Sequence, residues 1–109
     1  FRPMDRWTSF SVAKSVTSIL FGAALKDGSI QSLDDQVTRY VPELKGSAYD
    51  GVTVRQVLTM SSGVRWNEDY TDPKSDVAQM FARPVPPGED VIVNYMKTLA
   101  RAAPPGTRF

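Results

Sequence analysis

Residues 11–27 constrain the fold more than any other stretch of the chain. Val12, Val16, Ile19, Leu20, Ala23 and Ala24 recur there at steps of three and four, the period of an α-helix with one continuous apolar face. Ser9 or Ser11 stands where a side chain can cap the start, and Gly28 suits the left-handed position after the end. Ala13, Ser15, Gly22, Ala23 and Ala24 keep the helix narrow on several sides, which predicts a central, buried helix packed over most of its circumference. Its most apolar part is broken by Thr17, Ser18 and Gly22 and ends at Lys26 and Asp27. It is therefore too short for a membrane span and wrongly placed for a signal peptide.

Chemistry enters at the first turn of that helix. Ser11 and Lys14 lie three residues apart and so share a face, and the chain contains no histidine to act as a base. A serine hydroxyl attacks an acyl carbon only when a neighbouring base takes its proton. Lys14 is spaced to do so, provided that desolvation or a nearby cation leaves part of the amine uncharged. A serine at a helix N-terminus also has unpaired backbone N–H groups and the positive end of the dipole beside it, which favour an oxyanion. Read from the residues alone, the pair has a second interpretation: Ser11 as a helix cap and Lys14 as a solvated first-turn residue. One Ser-x-x-Lys arises by chance in roughly a third of chains this long.

The rest of the chain reads as short helices and ordered loops. Residues 32–41 resemble a helical turn capped by Ser32 with Asp35 at the reciprocal position, stopped by Pro42. Residues 46–51 are loop, and Thr53 caps a helix that runs through Val54, Val57 and Leu58 to Met60. Ser61-Ser62-Gly63 ends it. Residues 64–73 mix two large aromatics with acidic groups and show no clean period, as expected of an ordered loop that lines something. Two more helices are predicted over 74–82 and 90–101, separated by the rigid turn 84–88 with its three prolines. No strand is expected except at the extreme ends.

Composition narrows the function classes. With 109 residues, 41% of them hydrophobic and 10% aromatic, the chain supports one small core and reads as one unit. Thirteen basic and twelve acidic residues leave a net charge of +1 without a long single-sign run. Such a balance points away from nucleic acid and from a polybasic membrane anchor, and towards a small molecule or a peptide. The absence of cysteine removes disulfides, thiolate metal sites and a cysteine nucleophile, and is equally compatible with cytoplasm and periplasm.

Four ordered blocks carry a family resemblance: 9–18 (Ser-Phe-Ser-Val-Ala-Lys-Ser-Val-Thr-Ser), 27–30 (Asp-Gly-Ser-Ile), 37–44 (Val-Thr-Arg-Tyr-Val-Pro-Glu-Leu) and 54–63 (Val-Arg-Gln-Val-Leu-Thr-Met-Ser-Ser-Gly). Their order and spacing resemble the serine beta-lactamase and penicillin-binding protein superfamily, in particular its class C beta-lactamase-like esterases and amidases. Tyr49-Asp-Gly and the stretch Trp66-Asn-Glu-Asp-Tyr-Thr-Asp-Pro73 look most like the 6-aminohexanoate-dimer (nylon oligomer) hydrolase branch. The resemblance implies that Ser11 is the acyl-forming nucleophile and Lys14 the lysine that assists proton transfer. It implies that Tyr70 lies over the site and hydrogen-bonds the substrate amide; the alternative for Tyr70 is a packed loop aromatic. Trp66 reads as packing. Asn67, Glu68, Asp69 and Asp72 read as turn and cap residues, since no histidine supports zinc and the spacing is not that of a calcium loop.

What the resemblance implies for the whole is a serine hydrolase acting on an amide or ester through an acyl-enzyme, without metal or organic cofactor. The alternative is a non-catalytic member that holds a ligand or peptide. The fold class expected for 1–109 is a mainly α fragment of the α/β beta-lactamase-like fold: nucleophile helix and most of the helical subdomain, core sheet absent, truncated at both ends. The family's second motif, Tyr-x-Asn or Tyr-Ser-Asn, is expected just after a Pro-Gly-Thr-x-Phe segment like 105–109, and the third motif on a core strand lies outside as well. Tyr40, Tyr49 and Tyr95 lack the context to replace that tyrosine. The isolated 109 residues are therefore expected to turn over little or no substrate. An active-site acylation assay on the isolated residues and on the full-length protein checks this, and rapid labelling of Ser11 in the isolated residues refutes it.

Overall fold

The computed structural model describes residues 2–109. The chain divides into two compact units, Phe1–Ser32 and Leu33–Phe109, each of which is built around different local rules. Both consist of helices, 3-10 turns and loops. Among the described residues pairing is limited to two isolated antiparallel bridges, with no strand; the N-terminal extreme, where an extended segment was expected, includes Phe1, which lies outside the described residues.

The first unit holds the long helix α1, Ala13–Asp27, entered through a 3-10 turn at Phe10–Val12. Its C-terminus follows the sequence reading. Gly28 takes φ 82°, its N–H bonds the Leu25 carbonyl, and the Ile30 N–H reaches back to the Ala24 carbonyl at 3.0 Å. A residue with a Cβ resists that conformation, so glycine ends the helix cleanly. The N-terminus departs from the reading: neither Ser9 nor Ser11 makes a side-chain cap bond, because the tight 3-10 turn joins α1 directly with Val12 already helical. Expected burial is also absent. No residue of α1 is buried, and Val16, Ile19 and Leu20 are 58%, 72% and 62% exposed. The physical reason is that this unit contains one helix, and a single helix cannot cover its own apolar face.

The second unit is organised by backbone exchange between two distant segments. The Val37 N–H bonds the Val52 carbonyl at 2.9 Å, Val54 bonds Asp35 at 3.0 Å and Arg55 bonds Leu33 at 2.8 Å, around the bridge Gln36–Thr53. Leu33 and Asp34 stand in a turn, as predicted from Ser32, and helical geometry beyond it is limited to a 3-10 turn at Val37–Arg39. The Asp35 carboxylate accepts the Tyr40 hydroxyl at 2.6 Å and pairs with Arg39 at 3.3 Å. A second 3-10 turn, Pro42–Leu44, begins at the proline. Leu44, Val52, Val54 and Tyr95 form the buried core, with Thr38 and Ser75 buried beside them.

Helix α2, Val54–Leu58, is capped from both directions. Thr53 Oγ1 accepts from the Gln56 N–H and the Gln56 side chain accepts from the Thr53 N–H, a reciprocal capping box. Helices α3, Asp76–Ala82, and α4, Val91–Met96, are capped by Ser75 and Asp90 respectively. Helix α4 stops five residues before its predicted end. Beyond it the chain extends to pair with 61–65: Arg65 N–H to Ala100 at 2.8 Å, Ala102 N–H to Gly63 at 2.8 Å and Gly106 N–H to Ser61 at 2.7 Å. At the crossing, Gly63 takes φ 73° and a Cβ there would overlap the Ala103 carbonyl oxygen.

These two glycines separate backbone strain from crowding. Gly28→Ala meets open space at its φ of 82° and is expected to cost about 1 kcal/mol. Gly63→Ala meets backbone as well and is expected to cost roughly 2–4 kcal/mol. Urea denaturation of the full-length protein measures both, and equal losses would be inconsistent with the crowding at Gly63.

Candidate active site

Ser11 sits in the 3-10 turn and Lys14 is the second residue of α1. The three-residue spacing brings them together as predicted: Lys14 Nζ donates to Ser11 Oγ at 3.2 Å. Since Ser11 caps nothing, its hydroxyl is committed to the lysine rather than to the helix start. With the amine charged, the ammonium donates and the hydroxyl oxygen accepts. Abstraction of the serine proton needs the opposite polarity, with a neutral amine accepting. Both residues are exposed among the described residues, so the desolvation that a neutral amine requires is not provided by them. Beside Ser11, the Val12 N–H bonds the Ser9 carbonyl and the Ala13 N–H bonds the Phe10 carbonyl, as a tight 3-10 turn requires.

One feature of this site had no signal in the sequence. Phe10, directly before Ser11, has φ 47°, a left-handed backbone that costs a non-glycine residue about 1–2 kcal/mol. Its ring is 83% exposed, so packing within the described residues does not offset that cost. Strain of this kind concentrates beside reactive groups, and phenylalanine is a residue type from which no sequence rule would have predicted it.

Tyr70 belongs to the second unit and is described there. It is 76% exposed among the described residues. Its hydroxyl donates to Glu68 at 2.7 Å, and that bond holds the phenol above its ordinary pKa. Asn67, Asp69 and Asp72 act in turns, as the sequence predicted, whereas Glu68 holds the Tyr70 hydroxyl. Asn67 Oδ1 accepts from the Asp69 N–H at 3.0 Å, Asp69 from the Thr71 N–H and hydroxyl at 2.8 and 2.7 Å, and Asp72 from the Lys74 N–H at 2.8 Å. No group of metal-ligating side chains occurs among the described residues. Trp66 packs edge-on against Tyr95, centroids 6.3 Å apart and planes at 86°.

Three long-range anchors of the second unit were missed. Asp76 accepts the Tyr95 hydroxyl at 2.8 Å with one carboxylate oxygen and the Asn67 N–H at 2.7 Å with the other. The Asn67 carbonyl in turn accepts the Val77 N–H at 3.2 Å. Arg101 donates to the Ala48 and Asp50 carbonyls at 2.8 Å each, tying the C-terminal segment to the loop 46–51. All are contacts between residues 9 to 53 positions apart, where neither period nor propensity carries information. Only the Thr53-x-x-Gln56 box was legible and overlooked.

Comparison with known proteins now gives the family. The model of the family described as Beta-lactamase matches residues 1–109, and the chain belongs to that family. It is 48% identical over 77 residues to the 6-aminohexanoate-dimer hydrolase of Paenarthrobacter ureafaciens, a match covering 71% of this chain and 19% of that protein. It is also 35% identical over 65 residues to a beta-lactamase of Escherichia coli (strain K12), covering 57% of this chain and 17% of that protein. The matched stretches thus span about a fifth of the length of these relatives. Among the described residues, no helix is long and apolar enough to cross a membrane.

The Asp76–Tyr95 bond yields a test with a defined sign. Burial, and then the bond to Asp76, hold the Tyr95 phenol above its ordinary value of 10.0. A raised phenol pKa means that the fold favours the neutral form, so this contribution is whole below pH 10 and is lost as pH rises through the folded value. Tyr95→Phe is expected to lower stability by about 1–2 kcal/mol at neutral pH and to flatten the alkaline limb of the stability profile. Urea midpoints measured across the alkaline range check both; an unchanged alkaline limb contradicts the assignment.

Proposed function

We propose that the protein containing these residues is a serine hydrolase that cleaves an amide or ester through an acyl-enzyme. The observation that carries this reading is the 3.2 Å contact between Ser11 Oγ and Lys14 Nζ at the start of α1, in a chain of the Beta-lactamase family without histidine. Residues 1–109 are read as part of one α/β hydrolase domain, comprising the nucleophile helix and much of the helical subdomain. The share of the matched relatives that the chain spans supports this.

The chemistry follows from the pair. Neutral Lys14 takes the Ser11 proton while Oγ bonds the acyl carbon, and the carbonyl π electrons move to its oxygen. Backbone N–H groups at the helix start stabilise that oxyanion. Collapse re-forms the carbonyl and expels the amine or alkoxide, which receives the proton from Lys14. Water then attacks the Ser11 ester, gives up a proton to the same base, and releases the carboxylic acid with the hydroxyl restored. Tyr70 takes the role implied by resemblance, donating a hydrogen bond to the substrate amide. For that its hydroxyl must leave Glu68, to which it donates at 2.7 Å. The named function of the first relative supports a linear amide of an amino acid as the substrate class.

In the full-length protein, Ser11→Ala is expected to abolish acylation by an active-site phosphonate probe and to lower kcat/KM for a short linear amide by about 10^3-fold or more. Lys14→Ala is expected to do the same. Undiminished turnover by Ser11→Ala overturns the mechanism. A biological readout unaffected by it, with no turnover in the parent, identifies a binder.

A further inference from the structure

The second unit contains a polar cleft of about 320 Å³ that the proposed chemistry does not use. Arg65 and Lys74 line it, both exposed, and neither makes an ion pair among the described residues. The Asn67 amide also lines it. Its oxygen is taken by the Asp69 N–H, while its nitrogen donates to nothing among the described residues. The one acid in the wall, Asp76, has each carboxylate oxygen engaged, by Tyr95 and by the Asn67 backbone. The cleft therefore offers two cations without an ion pair among the described residues and a side-chain amide nitrogen, against a single carboxylate that already accepts one hydrogen bond at each oxygen.

The geometry points to a binding site for a small aliphatic carboxylate between the loop carrying Tyr70 and the segment after α4. Guanidinium and ammonium groups supply charge-assisted hydrogen bonds, and the planar fork of Arg65 matches a carboxylate in two bonds. Leu99 and Ala100 form the apolar part of the wall, which suits a short alkyl chain and gives an inorganic oxyanion nothing to bury. The volume sets the size. At about 30 Å³ per water in the liquid, the cleft holds roughly ten waters, enough for an amino-acid-sized ligand and too little for a nucleotide. This site lies entirely within the unit Leu33–Phe109 and does not depend on Ser11 being a nucleophile.

Calorimetric titration of the full-length protein with sodium butyrate, at constant ionic strength set with sodium chloride, tests the assignment. Butyrate is expected to bind, and Arg65→Gln and Lys74→Gln are each expected to weaken it about tenfold or more. Arg65→Lys keeps the charge but not the fork and is expected to fall between parent and Arg65→Gln. Ser11→Ala is expected to leave binding unchanged. Absence of butyrate binding, affinity insensitive to both glutamine variants, or affinity lost in Ser11→Ala overturns the site. Equal affinity for inorganic phosphate overturns its assignment to a carboxylate.

Discussion

The two oxygens of the Asp76 carboxylate organise the second unit. One holds the hydroxyl of Tyr95 on α4, and the other holds the backbone of Asn67 at the start of the loop that carries Tyr70. Asp76 itself belongs to the first turn of α3, where the helix dipole favours its negative charge. A single side chain thus joins two helices and a loop that has no periodic structure of its own. The Trp66–Tyr95 edge contact closes the same junction with apolar surface. Loops without secondary structure stay ordered only when their polar groups find partners, and this loop finds most of them in Asp76 and in its own Asx turns.

The first unit rests on different physics. Its order is local: a Gly28 stop, a 3-10 entrance and the i, i+3 contact between Ser11 and Lys14 all arise from residues within four positions of one another or from one backbone conformation. What it lacks is cover for Val16, Ile19 and Leu20, an apolar surface far larger than scattered exposed side chains normally leave. The proposed mechanism places a matching demand on the same region, since a lysine that is to act as a base must be removed from water. Cover for the helix and activation of its lysine are one requirement.

How much was legible depends on the range of each interaction. The helix 13–27, its glycine stop, the Thr53 cap and the turn roles of Asn67, Asp69 and Asp72 were readable, because each is decided by neighbours a few residues away. The turn expected at Ser32 does not continue as a helix to Val41, because the Val37 N–H is given to the Val52 carbonyl and the carbonyls of Leu33 and Asp35 are claimed by Arg55 and Val54. Helix α4 was overestimated for the same reason: Ala100 and Ala102 pair with Arg65 and Gly63, and a backbone group bonded across the chain is unavailable to a helix. Tyr70 was singled out correctly as a loop residue, but its exposure and its bond to Glu68 followed from the path of the loop.

The sequence by itself determined that a serine and a lysine would meet at the start of a helix, since three residues on an α-helical or 3-10 turn leave few other arrangements. It also determined the family, through four blocks whose order and spacing survive without any knowledge of contacts. Tertiary structure alone decided that Arg101 would hold the carbonyls of Ala48 and Asp50, and that Arg65 and Lys74 would share a cleft whose one acid, Asp76, is bonded to Tyr95 and Asn67. Local chemistry repeats along a chain and can be read from it. Which distant groups become neighbours depends on how the whole chain closes, and no window of sequence contains that information.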